Sequence, residues 1–250
     1  GRYAGQMLIV FCLVLPRIKV VAQSKYPGLQ VARSVLLMCA TFFFFLGLSQ
    51  IGLAQATAVM NLNPVLITLG AAMFLGERLG HRRIIAIAFS LAGALIIIRP
   101  GTQAFSIAAI LPLFAACCFA GYTLITRKVG HDEDVWTSLF YTGLVGSLLM
   151  TLIVPFFWIA PSPAAWLKLG FIGGIGTLGQ LLLIQALTRA EAGMLAPFNY
   201  TSLIFASLWG AVLFGVLPDG QTITGALVIA GAGLYVWHRE RQSGAAGQPE

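Results

Sequence analysis

The feature that most constrains this chain is a succession of apolar runs, each close to the length of a bilayer crossing and separated by short polar segments. An α-helix needs about 20 apolar residues to cross the hydrocarbon core. Nine runs approach or reach that length: residues 3–15, 31–51, 54–75, 84–98, 104–126, 135–159, 166–187, 192–217 and 221–238. The first and fourth are short and borrow from their flanks. Lipid cannot satisfy free backbone groups, so a spanning segment is a helix or a strand of a closed barrel, and no barrel-like alternation is present. Composition agrees: 58% of residues are hydrophobic and only 9% are charged, against about 25% charged in a soluble domain. The expected fold class is an all-α integral membrane protein with the lipid bilayer as its solvent.

The bases set the orientation. Alternating the loops between two sides puts Arg17, Lys19, Lys25, Arg33, Arg78, Arg82, Arg83, Arg127, Lys128, Arg189, Arg239 and Arg241 on one side, and only Arg2, Arg99 and Lys168 on the other. By the positive-inside rule the richer side is cytoplasmic, and the C-terminus lies there. The expected location is the cell (inner) membrane. The net charge of +7 therefore reads as topology, not as a nucleic-acid footprint. Nine spans with the C-terminus inside place residue 1 outside. The chain opens Gly1-Arg2-Tyr3 with no signal-peptide pattern, so a preceding first helix is expected.

Other residues fit the span map. Trp136, Trp158, Trp166 and Trp237 fall at predicted helix ends, as an aromatic belt requires, whereas Trp209 lies inside its run. All eight acids lie in loops or at helix ends, and no acid or base is placed near the middle of a span. Cys12, Cys39, Cys117 and Cys118 sit in apolar runs without metal-binding spacing and read as small packing residues. His81, His131 and His238 have no metal-ligand companion at helical spacing. The segment from Arg239 to Glu250 is polar and reads as a disordered tail.

Two stretches look alike. Ala54-Gln55-Ala56 opens a long apolar helix that closes at Gly76, followed by a polar turn and a further helix. Ala190-Glu191-Ala192 opens a second one that closes at Gly215, followed by Pro218-Asp219-Gly220 and the last helix. The first opening is placed outside and the second inside, so the repeats face opposite ways. Inverted repeats are a transporter architecture, because one design then supplies two conformations.

The chain resembles the EamA-type members of the drug/metabolite transporter superfamily. The residues that carry the resemblance are Ala54-Gln55-Ala56-Thr57 leading to Asn63-Pro64, Phe74-Leu75-Gly76-Glu77-Arg78-Leu79, Gly93, and the exit Ile98-Arg99-Pro100-Gly101. In the second half they are Arg189-Ala190-Glu191-Ala192, Ala196-Pro197-Phe198-Asn199-Tyr200, Gly210, Phe214-Gly215 and Leu217-Pro218-Asp219. The resemblance covers essentially the whole chain. It implies about nine helices of a ten-helix bundle made of two inverted five-helix repeats. The first repeat, truncated, would span 1–101, the second 102–238, and the tail 239–250. The acid of Gly76-Glu77 has Val216 at the matching place, so a role needing an acid in both halves is not carried over. The resemblance also favours export of amino acids and other small metabolites over import.

Candidate site residues follow from the cost of polar side chains in a bilayer, which need a partner or a wet cavity. Asn61 and Asn63 lie near the centre of run 54–75, and two residues apart they cannot face the same way. Pro64 lacks an N–H and disturbs the preceding turn, a helix break of the kind transporters use near the midplane. Pro197, Asn199 and Tyr200 form its counterpart. Thr177 and Gln180 lie in a glycine-rich helix whose Gly170 and Gly174 permit close packing. Tyr122 and Trp209 are aromatics that could stack on a ligand. Glu77 reads as a structural loop residue offset by Arg78, Arg82 and Arg83. For each of these, interhelical bonding or packing is the competing role.

No phosphate-binding loop, GxSxG or HExxH occurs, so neither an enzyme nor a cofactor is expected. The sequence thus points to a secondary transporter of a small-molecule substrate, with alternating access around a central cavity and a homodimer as the candidate assembly. The alternatives are an importer or facilitator of sugar- or nucleotide-sugar-like compounds and a non-transporting scaffold. An anionic substrate would need a basic residue facing the cavity, and no Lys or Arg lies mid-span.

Overall fold

Helix is the arrangement in which one segment satisfies its own backbone, and the apolar runs adopt it wherever the computed structural model describes them. The described residues are 2–51, 53–77, 80–98, 107–157, 160–214 and 220–245. Outside them lie Arg78 and Leu79, Trp158, the Arg99-Pro100-Gly101 exit, Gly215 to Asp219 and the tail beyond Ala245.

Helix α1 (Arg2–Val14) runs through a 3-10 turn at Leu15–Arg17, where Pro16 removes a donor, into α2 (Ile18–Val21). Then come α3 (Pro27–Ile51), α4 (Leu53–Met60), α5 (Asn63–Phe74) and α6 (His81–Ile98). A 3-10 turn at Ile107–Ala109 leads into α7 (Ile110–Val129), followed by α8 (Val135–Ile153) and α9 (Pro163–Arg189). Helix α10 (Ala192–Leu195), a 3-10 segment Ala196–Tyr200, α11 (Thr201–Phe214) and α12 (Gly220–Ala245) complete the chain. Among the described residues, five stretches are long and apolar enough to cross a membrane: Arg2–Val21, Pro27–Ile51, Ile107–Val129, Val135–Phe156 and Pro163–Arg189.

Two expectations change. The run 54–75 is not one helix, because Asn61 and Leu62 form a turn between α4 and α5. The last helix does not stop at 238 but continues to Ala245, through Glu240, Arg241 and Gln242, which are good helix formers.

The chain divides into two compact units, one of residues 1–39 and 121–190, the other of 40–120 and 191–250. In the first unit α1 packs on α8 and α9. Between helices in lipid the attraction is packing, so small residues decide how near backbones come. Gly143 and Gly146 of α8 receive Met7 and Tyr3; a Cβ at Gly146 would lie 2.3 Å from the Tyr3 ring. A Cβ on Gly5 would lie 3.0 Å from the Cα of Gly173. Gly170 and Gly174, the pair expected to pack, meet nothing within 4 Å, since their face of α9 carries exposed Phe171, Ile175 and Leu178. The helix ends are satisfied locally. Asp134 caps α8 through the Trp136 N–H, Ser162 caps α9 through the Ala165 N–H, and Arg127 donates to the Leu187 and Thr188 carbonyls at the other end of α9.

In the second unit α6 lies along α12 and approaches it closely at Gly93, where a Cβ would come within 2.8 Å of the Gly225 carbonyl oxygen. Helix α5 stops at Phe74, and two residues on Gly76 has a φ of 69°, in the left-handed region that glycine enters without penalty. The Glu77 N–H turns back to the Ala71 carbonyl. An apolar groove of about 330 Å³ between α6 and α12 is lined by Ile85, Phe89, Leu227 and Tyr235, among others.

Candidate functional site

The first unit holds a buried polar network. Arg33 lies in the second turn of α3 and is 0% exposed. Its Nη2 donates to the Ser138 carbonyl at 2.8 Å and to the Thr142 hydroxyl at 2.7 Å. Its guanidinium sits 5.3 Å from the Tyr122 ring centroid, a cation–π distance. The Tyr122 hydroxyl accepts from the Gln180 side-chain amide, and the Gln180 carbonyl oxygen takes a long 3.5 Å bond from Arg2. Gln30 donates to Ser138, and Gln6 donates to the Leu139 carbonyl. Five helices, α1, α3, α7, α8 and α9, thus place polar side chains in one interior.

Two of these side chains, Tyr122 and Gln180, stand out in the sequence as candidates, and the structure bonds them to each other. Thr177, also a candidate, is buried but spends its hydroxyl on the Gly173 carbonyl one turn back. Arg33, Gln30 and Gln6 do not stand out in the sequence as site residues. Arg33, two residues into the run 31–51, reads from the sequence as a base at the cytoplasmic edge of its helix. Pro27 opens the helix earlier and carries Arg33 about 9 Å along its axis, at 1.5 Å per residue. The available signal was periodicity: Gln30, Arg33, Ser34 and Leu37 share one face and all are buried. Arg33 lies towards one end of α3 rather than at its middle, and it is buried all the same.

The second unit brings the two helix interruptions together. The Asn61 side chain returns to the Thr57 carbonyl, competing with the helix as short amides do. Leu62 bonds back only three residues, to Val59, and α5 restarts with buried Pro64 in its first turn. Pro197 lies in the 3-10 segment before α11, and Tyr200 at its end donates to the Asn61 carbonyl at 2.8 Å. Asn63 is buried with its Oδ1 unpartnered. Asn199 is half-buried, and its carbonyl takes the Ser202 hydroxyl. Trp209 is 55% exposed on a stripe with Phe205, Leu208 and Val212, away from these polar groups.

Glu77 has a partner the sequence did not suggest. Its two carboxylate oxygens accept from the Ala192 and Gly193 N–H groups, each at 2.9 Å, at the start of α10. An anion there complements the exposed amides of a helix start. Outside the spans, the Asp132 carboxylate accepts from the Tyr26 hydroxyl, and its charge pushes the Tyr26 phenol up. That bond persists through neutral pH and is lost as pH rises through the raised value.

Long apolar helices with polar groups sequestered inside define a multi-pass membrane protein. The model of the EamA-like transporter family matches residues 3–99 and 106–237, and the chain belongs to that family. It is 31% identical over 224 residues to a riboflavin transporter of Rhizobium johnstonii, covering 87% of this chain and 72% of the relative. It is 24% identical to an S-adenosylmethionine uptake transporter of Rickettsia felis, over 97% of this chain and 82% of the relative. Identity to the pseudopaline exporter of Pseudomonas aeruginosa is 28%, over 74% and 66%. One solved crystal structure shares the fold, with a TM-score of 0.80 at 20% identity over 96% of this chain and 86% of that one.

Proposed function

We propose that this protein is a secondary transporter that exports small metabolites such as amino acids across the cell membrane by alternating access, with its C-terminus cytoplasmic. The observation that carries the reading is the Arg33–Tyr122–Gln180 network: buried polar groups in lipid are costly and are kept where a polar cargo passes. Family membership supports it, and the two matched stretches, 3–99 and 106–237, support two repeats joined near residue 101. Paired helix breaks at Pro64 and Pro197 support a moving element in the second unit. Uptake is the second reading, favoured by the S-adenosylmethionine uptake relative and its coverage.

The test is resistance to toxic amino-acid and metabolite analogues in cells expressing the full-length protein, Asn63→Ala or Gln180→Ala. Export predicts resistance with wild type and at least a tenfold loss of it with Gln180→Ala at equal membrane abundance. Sensitisation by wild type instead supports uptake. No change with any analogue, together with no flux in proteoliposomes, removes the transport reading.

A further inference from the structure

Arg33 is a buried cation whose hydrogen-bond and ring partners among the described residues are all neutral: the Ser138 carbonyl, the Thr142 hydroxyl and the Tyr122 ring. The Glu133 carboxylate, held by Ser24 and the Tyr26 N–H, acts on it only through space. Its Nε and Nη1 have no hydrogen-bond partner among the described residues. Nε carries one N–H and Nη1 two, so three of the five guanidinium donors are open. Two acceptors in the same interior are also open, the side-chain oxygens of Gln6 and Gln30. These groups converge on one stretch of α8: Gln30 and Arg33 on Ser138, Gln6 on Leu139, Arg33 on Thr142. A buried cation with open donors and no hydrogen-bonded carboxylate, beside open neutral acceptors, is the complement of a zwitterion.

We infer that this cluster is the recognition site for an α-amino-acid headgroup. The substrate carboxylate pairs with the open Nε and Nη1 of Arg33, and the substrate ammonium donates to the oxygens of Gln6 and Gln30. The inference deepens the transport reading and rests on it for the word substrate, but binding stands by itself. All these atoms are buried, so the ligand reaches them in a conformation where α3 and α8 part. With α3 packed on α8 the guanidinium has no carboxylate in hydrogen-bond reach, a cost that a bound carboxylate removes.

The test is thermal unfolding of the full-length protein in detergent with S-adenosylmethionine and the twenty amino acids. Each amino acid is compared with its methyl ester, which lacks the carboxylate, and its N-acetyl form, which lacks the ammonium; riboflavin carries neither group. At least one free zwitterion is expected to raise Tm, with its ester and N-acetyl form failing to do so. Arg33→Gln is expected to abolish the shift and Arg33→Lys to keep part of it. The ligand-free Tm of Arg33→Gln is expected to be no lower than wild type, whereas a purely structural arginine would lower it. The inference is overturned if no zwitterion shifts wild type, if ester and acid act alike, or if the shift survives Arg33→Gln. Should Arg33→Gln fail to fold, the acid–ester comparison on wild type decides alone. Flux of riboflavin without zwitterion binding sinks this inference and leaves transport standing. Zwitterion binding without any flux does the reverse.

Discussion

Single side chains in this protein act mainly on backbone groups. Glu77 holds two amides at the start of α10. Glu77→Ala strands both and is expected to lower stability by about 1.5–3 kcal/mol, the range for bonds to a charged group. Glu77→Gln keeps one acceptor oxygen and is expected to lose less, as read by chemical unfolding in detergent. Tyr200 holds the Asn61 carbonyl, so Tyr200→Phe is expected to cost about 1–2 kcal/mol by leaving a carbonyl unpaired near a helix break. At this scale the sequence was only partly legible. Tyr122 and Gln180 stand out because a polar group in an apolar run is visible in one dimension. Arg33 hides because a base near a run's edge looks like a loop base until the helix start is known. The partners of Glu77 are main-chain groups, which no residue pattern encodes.

Helices here are set by length, breaks and small residues. The apolar runs are legible because lipid permits few other structures. The break at Asn61–Leu62 was signalled by Pro64, while the division into two helices depends on the Asn61 side chain choosing its own backbone. Glycine spacing misled at Gly170 and Gly174, since a GxxxG pattern does not say which face meets a neighbour. Gly93 is the stronger case, with the Gly225 carbonyl 2.8 Å from where a Cβ would stand. Gly93→Leu must push α6 off α12, and overpacking of this kind costs about 1–3 kcal/mol. A lower Tm in detergent, with Gly170→Leu near wild type, is the expected result.

The whole molecule is not built as one sequence half beside the other. The first unit takes residues 1–39 from the start and 121–190 from the second half, and the second unit takes 40–120 and 191–250. Neither half can therefore complete either unit. Expressed separately, residues 1–101 and 102–250 are expected to be protease-sensitive. Co-expressed, they are expected to elute together and gain resistance. Protection of one half alone would contradict this interleaving.

Helix α3 enters the bilayer before α8 has been made, so Arg33 meets lipid with neither Ser138 nor Thr142 at hand. On insertion scales an arginine at a helix centre costs about 2.5–3.5 kcal/mol, less towards an end. Each phenylalanine contributes about −0.3 to −0.6 kcal/mol on the same scale. Phe42 to Phe45 stand farther along the same helix, and Phe42 and Phe45 remain exposed after folding. Their surplus apolarity offsets that cost, so the membrane can accept during synthesis a helix that carries a charge inside.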